Sequence, residues 1–110
     1  PSALSDVSAR GKLVWSQHTY GLSQHDRPEF HNGAFPANMK DAWAAHWGKL
    51  VTEKGPSTPA LVLGEWGGPI FGENGKWMNA LADYLTEKEL TNNFFWALNQ
   101  DGSPKGIILD

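Results

Sequence analysis

Glu65 stands in the hexapeptide Leu63-Gly64-Glu65-Trp66-Gly67-Gly68, a carboxylate caught between a short apolar run and a glycine turn. A charged group in that position rarely serves packing. The preceding run Ala60-Leu61-Val62-Leu63 follows Pro59 and reads as a fully buried parallel strand, which puts Glu65 at the strand's C-terminal end. In barrels of alternating strands and helices, chemistry is built at that end and stability at the other. Taken alone, the residue fits equally a carboxylate that caps the next turn or pairs with a lysine.

Two further strand ends tip the balance toward chemistry. The run Gly11-Lys12-Leu13-Val14-Trp15-Ser16 reads as a strand that delivers Gln17, His18, Thr19 and Tyr20 just before Gly21, with His18 and Tyr20 to one side at period two. A third strand, Asn93 to Leu98, ends at Asn99 and is followed by Gln100, Asp101 and Gly102. Three strands thus end in polar or aromatic functional groups. Asn99 and Asp101 could hydrogen-bond a ligand, but Asn-Gln-Asp-Gly is also ordinary turn chemistry.

The elements that must hold these residues alternate. Between the first two strands, Met39, Trp43, Trp47, Leu50 and Val51 recur near every fourth position, which predicts a helix over about 37–54 with Pro36 at its opening. Between the second and third, Trp77, Leu81, Tyr84 and Leu85 form the stripe of a helix over about 75–90. The order strand, helix, strand, helix, strand demands parallel strands with right-handed crossovers. A parallel sheet must be covered on both faces, and two helices are few for that. The chain has 110 residues, whereas a complete eightfold barrel needs about 250. It also begins at Pro1 and stops soon after the third strand, so the expectation is a fragment of a larger domain.

Composition removes several classes of function. Net charge is −3 with no Lys/Arg cluster, which gives nucleic-acid binding little support. No apolar run approaches the roughly 18 residues that span a bilayer. His18, His25 and His31 match no ligand spacing and cysteine is absent, so neither a metal nor another cofactor is expected. The glycines from Gly64 to Gly75 lack G-x-G-x-x-G and the P-loop lysine; a catalytic turn explains them better than a phosphate cradle. The long polar loop from Gly21 to Phe35 suits the border of a cleft. Of the six tryptophans, Trp43, Trp47 and Trp77 fall on helix stripes and are expected in packing, while Trp15 and Trp66 are open either way.

Four stretches carry a specific likeness: Leu13 to Gly21 (LVWSQHTYG), Phe35 to Gly48 (FPANMKDAWAAHWG), Ala60 to Gly68 (ALVLGEWGG) and Phe95 to Ile108 (FWALNQDGSPKGII). Together they resemble glycoside hydrolase family 5 endoglucanases, in family order and over nearly the whole chain. The resemblance implies an α/β fold: residues 1–110 would be the C-terminal strand–helix units, strands six to eight, of a TIM (β/α)8 catalytic barrel, incomplete on its own. It further implies retaining hydrolysis of a β-1,4-glucan, in which one carboxylate adds to the anomeric carbon and a second, about 5 Å away, acts as acid and then base. Glu65 matches the nucleophile, Tyr20 the tyrosine that donates to it, His18 a histidine lining the sugar site, and Trp96 a platform under the reacting sugar. Asn99 is the remaining candidate for sugar contact. Where the family often has W-S-W-N, this chain has Trp96-Ala97-Leu98-Asn99, so one aromatic position is unfilled.

The acid/base Glu of the family follows an Asn, and no Asn-Glu dipeptide occurs in this chain. Glu29 and Asp26 in the first loop read as solvated charges, and Glu53, Glu87 and Glu89 as solvent-facing helix residues. The expectation is therefore a chain without hydrolase activity of its own, whose partner is the N-terminal portion of the same barrel. A β-mannanase or other family 5 β-glycanase shares the nucleophile motif and is the nearer rival on substrate. A non-catalytic carbohydrate-binding fragment is the rival on class, but it has no need of Glu65 beside His18 and Tyr20. Secretion follows from the substrate, since cellulose lies outside the cell.

Overall fold

The structure is a computed structural model and describes residues 12–52 and 58–99. The side chain of Val51, residues Gly11, Glu53, Lys54, Gln100, Asp101 and Gly102, and the matched stretch up to Ile108 lie outside the described residues. Three strands, β1 (Val14–Tyr20), β2 (Ala60–Gly67) and β3 (Asn93–Phe95), form one sheet in the order β1-β2-β3. Both pairings are parallel, as the alternation of strands and helices requires. β1 starts later than the sequence suggests and runs on through Tyr20, because β2 itself continues through Gly64-Glu65-Trp66-Gly67 and pairs Tyr20 with Gly67. His18 and Tyr20 are therefore strand residues rather than loop residues.

The first helical run, α1, covers residues 39–52: α-helical Met39–Trp43, a π-helical segment Ala44–Gly48, and α-helical Lys49–Thr52. The second, α2 (Gly72–Glu87), begins one turn before the apolar stripe does, with Phe71 extended and the Gly75 N–H donating to the Phe71 carbonyl. It stops at Glu87 rather than Leu90 because Glu89 takes a left-handed φ of 54°. The Leu90 N–H then bonds the Leu85 carbonyl and the Glu89 N–H that of Thr86, which satisfies two orphan carbonyls of the last turn. On the surface, Lys40 on α1 reaches Glu87 on α2 at 2.7 Å.

One apolar cluster joins the helices to a single face of the sheet. Met39, Trp43 and Trp47 from α1 and Trp77, Leu81, Tyr84 and Leu85 from α2 pack with Leu61 and Leu63 of β2, and Phe95 of β3 lies against the cluster. Three ring contacts knit α1 to α2: Trp43–Trp77 at 6.0 Å, Trp43–Tyr84 at 5.4 Å and Trp47–Tyr84 at 5.6 Å. Such geometries stabilise beyond the area they bury. Trp43, Trp47 and Trp77 are thus core residues, as their spacing suggests. The other face has no helix over it among the described residues: Val14 and Phe94 are exposed there.

Gly48 closes the π-helical segment where Tyr84 comes nearest; a Cβ there would overlap the Tyr84 hydroxyl. That hydroxyl is buried and has no hydrogen-bond partner among the described residues. Burial holds the Tyr84 phenol above its ordinary range; the Lys88 ammonium opposes this and Glu87 adds to it. A raised folded-state pKa gives stability that is present below about pH 10 and is lost as pH rises through the folded value. Tyr84→Phe is expected to flatten that alkaline loss. It should leave stability at pH 7 unchanged or raise it by up to about 1 kcal/mol, since no bond is lost. Urea unfolding of both proteins at pH 7 and above pH 10 checks it.

Candidate active site

The C-terminal ends of β1 and β2 bring three predicted residues together. The Tyr20 hydroxyl donates to Glu65 Oε2 at 2.7 Å, and His18 Nδ1 lies 3.4 Å from the same oxygen. His18 and Tyr20 are two residues apart on β1 and so share a face, and Glu65 pairs with His18 across the sheet. The Glu65 side chain is 29 % exposed and that of His18 50 %, so the carboxylate is partly sheltered yet open to a ligand. A hydroxyl donor fixed on one carboxylate oxygen orients the group while part of it stays exposed to solvent. That is the arrangement of an oriented anionic nucleophile or base.

Trp96 follows β3 directly, its N–H donating to the Trp66 carbonyl at 2.8 Å. Gly67 keeps the crossing close, because a Cβ there would overlap the Trp96 carbonyl. Trp96 is 39 % exposed, just past the end of β3. Asn99 is exposed, further along the same segment. Trp66 faces the other way: its Nε1 donates to Asn93 Oδ1 at 3.0 Å and its ring meets Phe95 edge-on at 5.2 Å. It is a packing residue. Trp15 remains partly exposed on β1.

Asn74 is a residue that sequence reasoning missed. Almost fully buried on the first turn of α2, it donates from Nδ2 to the Pro69 carbonyl at 2.8 Å and accepts the Ser23 N–H on Oδ1 at 3.3 Å. It therefore ties the loop after β1 to the loop after β2 behind the candidate site. Gly68 completes the clamp with φ +124°, a conformation open to glycine, and a Cβ on it would come within 2.8 Å of both Asn74 and Ser23. The available signal was position: Asn74 precedes Trp77 by three residues and so lies on the buried stripe.

Three other carboxylates form ion pairs elsewhere. Asp26 pairs with His31 in the exposed loop, Glu73 with Lys76 at 2.6 Å, and Glu87 with Lys40 and Lys88. Glu29 departs from its reading as a solvated charge: its Oε2 is withdrawn from solvent with no partner among the described residues. It lines a recess with Gln17, His18, Tyr20, Arg27, His46 and Trp77, and the reason is Phe30, which buries into the core and anchors the 3-10 turn Pro28–His31 there. Among the described residues no group of three or more His, Cys, Asp and Glu could hold a metal ion. Nor is any helix there long and apolar enough to cross a membrane.

Known proteins share this arrangement of elements. No family model matches the chain, but over about nine-tenths of its length it is similar to endoglucanases, and its solved structural neighbours are endocellulase catalytic domains. It is 36% identical over 103 residues to an endoglucanase of Paenibacillus polymyxa, covering 90% of this chain and 25% of that protein. It is 33% identical over 102 residues to the major extracellular endoglucanase of Xanthomonas campestris pv. campestris, covering 89% of this chain and 20% of that one. The catalytic domain of the Xanthomonas enzyme superposes with a TM-score of 0.78 at 32% identity, over 90% of this chain and 28% of that structure. An endocellulase of Pyrococcus horikoshii in complex with cellotetraose superposes with a TM-score of 0.77 at 33% identity, over 89% of this chain and 26% of that one. The chain spans about a sixth to a quarter of the length of the curated relatives it matches.

Proposed function

We propose that this chain is the C-terminal section, strands six to eight, of a TIM-barrel catalytic domain that hydrolyses β-1,4-glucan with retention of configuration. Glu65 is the nucleophile. The observation that carries the reading is the contact set on its carboxylate: the Tyr20 hydroxyl at 2.7 Å and His18 at 3.4 Å, on strand ends of a chain similar to endoglucanases throughout. In the first step Glu65 bonds to the anomeric carbon as the glycosidic C–O bond breaks, and a second carboxylic acid protonates the leaving oxygen. In the second, that group takes a proton from water, which attacks the anomeric carbon and releases Glu65.

The acid/base is assigned to the remaining portion of the barrel, whether on the same or a separate chain, since no Asn-Glu dipeptide occurs in this chain. That portion would also cover the exposed face of Val14 and Phe94 and pair the outer edges of β1 and β3. Tyr20 holds the nucleophile. His18 and Asn99 contribute polar contacts to the sugar, and Trp96 offers an aromatic plane to its axial C–H face. A secreted enzyme acting on extracellular polysaccharide fits these parts, and one relative is described as extracellular.

The test is a chimera in which this chain replaces the matching segment of the Paenibacillus polymyxa endoglucanase. It should hydrolyse carboxymethyl cellulose in preference to mannan, while the 110-residue chain alone hydrolyses neither. Preference for mannan would overturn the substrate, and a folded chimera inactive on both would overturn the enzymatic reading.

A further inference from the structure

Leu63 and Glu65 are two residues apart on one strand and would ordinarily share a face. They do not. Leu63 is wholly buried in the helix-side core, whereas the Glu65 carboxylate meets Tyr20 and His18. The register explains the inversion: Gln17 pairs with Leu63 and the next residue, His18, with Glu65, so Gly64 is an extra residue opposite nothing. This is a β-bulge, a device that re-aims side chains beside functional sites.

We propose that Gly64 is a positioning residue that directs Glu65 and seats His18, with Ser16 only filling the space beside it, a role that rests on Glu65 being the nucleophile. Glycine is required here for space, since the left-handed glycines among the described residues are Gly68 and Gly72. A Cβ on Gly64 would overlap Ser16 Oγ and stand 3.0 Å from His18 Nε2 and 3.2 Å from its Cδ2. The imidazole thus rests with its Nε2–Cδ2 edge on the bare bulge and turns Nδ1 toward Glu65. A side chain at the bulge would have to displace Ser16 or lift His18 from that seat. Either movement shifts the carboxylate's surroundings by a few tenths of an ångström to an ångström, a scale that costs up to about 10²-fold in rate.

The experiment is a double-mutant cycle in the chimera: Gly64→Ala, Ser16→Ala and the pair, with kcat and KM on cellooligosaccharides and thermal unfolding of each. Gly64→Ala is expected to lower kcat by about 10²-fold with little change in KM. Ser16→Ala alone should stay near wild type. The pair should recover at least about 10-fold of the loss, because removing Oγ opens the space that the new methyl needs. If Gly64→Ala alone does not fold, recovery of folded, active protein by the pair supports the same positioning role. Wild-type kcat in Gly64→Ala, or a loss that adding Ser16→Ala leaves untouched, overturns the role of Gly64. Glu65→Gln in the same series separates the two readings: if it abolishes activity and Gly64→Ala does not, the positioning role of Gly64 alone is wrong.

Discussion

Glu65→Gln in the chimera lowers kcat on carboxymethyl cellulose by at least about 10³-fold, the scale on which loss of a covalent nucleophile acts. The amide keeps the shape of the carboxylate and its carbonyl oxygen still accepts from Tyr20, which now bonds Oε2 at 2.7 Å. It cannot form the glycosyl ester, because its charge and lone-pair donation are gone. Stability should move little: the group is at the sheet's open end, 29 % exposed, and substitutions of that kind are usually small in effect. Loss of activity with an unchanged melting temperature and unchanged KM is the expected pattern. Residual activity within tenfold of wild type would mean that another group attacks the sugar.

The second large effect is structural. Trp77 is fully buried and sits at the junction of three elements. It meets Trp43 on α1 at 6.0 Å, it is carried by α2, and its ring lies where a Cβ on Gly21 would come within 2.9 Å, at the end of β1. Trp77→Ala removes the side chain on which the end of the catalytic strand rests. The expected cost is about 3–5 kcal/mol, a large share of the roughly 5–15 kcal/mol that holds an ordinary domain folded. Its indole N–H has no partner among the described residues, so the loss is one of packing and cavity formation. Urea unfolding of the chimera checks it; a loss below about 1 kcal/mol would mean that α2 is not held to the sheet through this ring.

Much of this was legible because the physics is local. Apolar runs bounded by glycine and proline gave three strands, and repeats near every fourth residue gave two helices with Trp43, Trp47 and Trp77 inside. His18, Tyr20 and Glu65 were legible as neighbours because each ends or nearly ends a strand of a parallel sheet, and parallel strands place their C-terminal ends together. What was not legible depends on partners far along the chain. The bulge at Gly64 arises when β1 and β2 are set in register; the sequence offers a glycine within a strand and no more. Trp66 was undecided because its face depends on that same bulge. Asn74 lies just before the helix expected over about 75–90, and its partners, the Ser23 N–H and the Pro69 carbonyl, come together only in the fold. Glu29 looked solvated because nothing in its own loop shows that Phe30 would anchor the turn in the core.

A covalent bond between Glu65 and the sugar can be trapped directly. A 2-deoxy-2-fluoro cellooligosaccharide with a good leaving group slows release of the glycosyl-enzyme, so the intermediate can be digested and sequenced by mass spectrometry. The chimera should gain one glycosyl unit, located on the peptide that contains Gly64-Glu65-Trp66 and absent from the Glu65→Gln variant. Label on a different carboxylate, or turnover without any covalent adduct, would contradict the assignment of Glu65 as nucleophile.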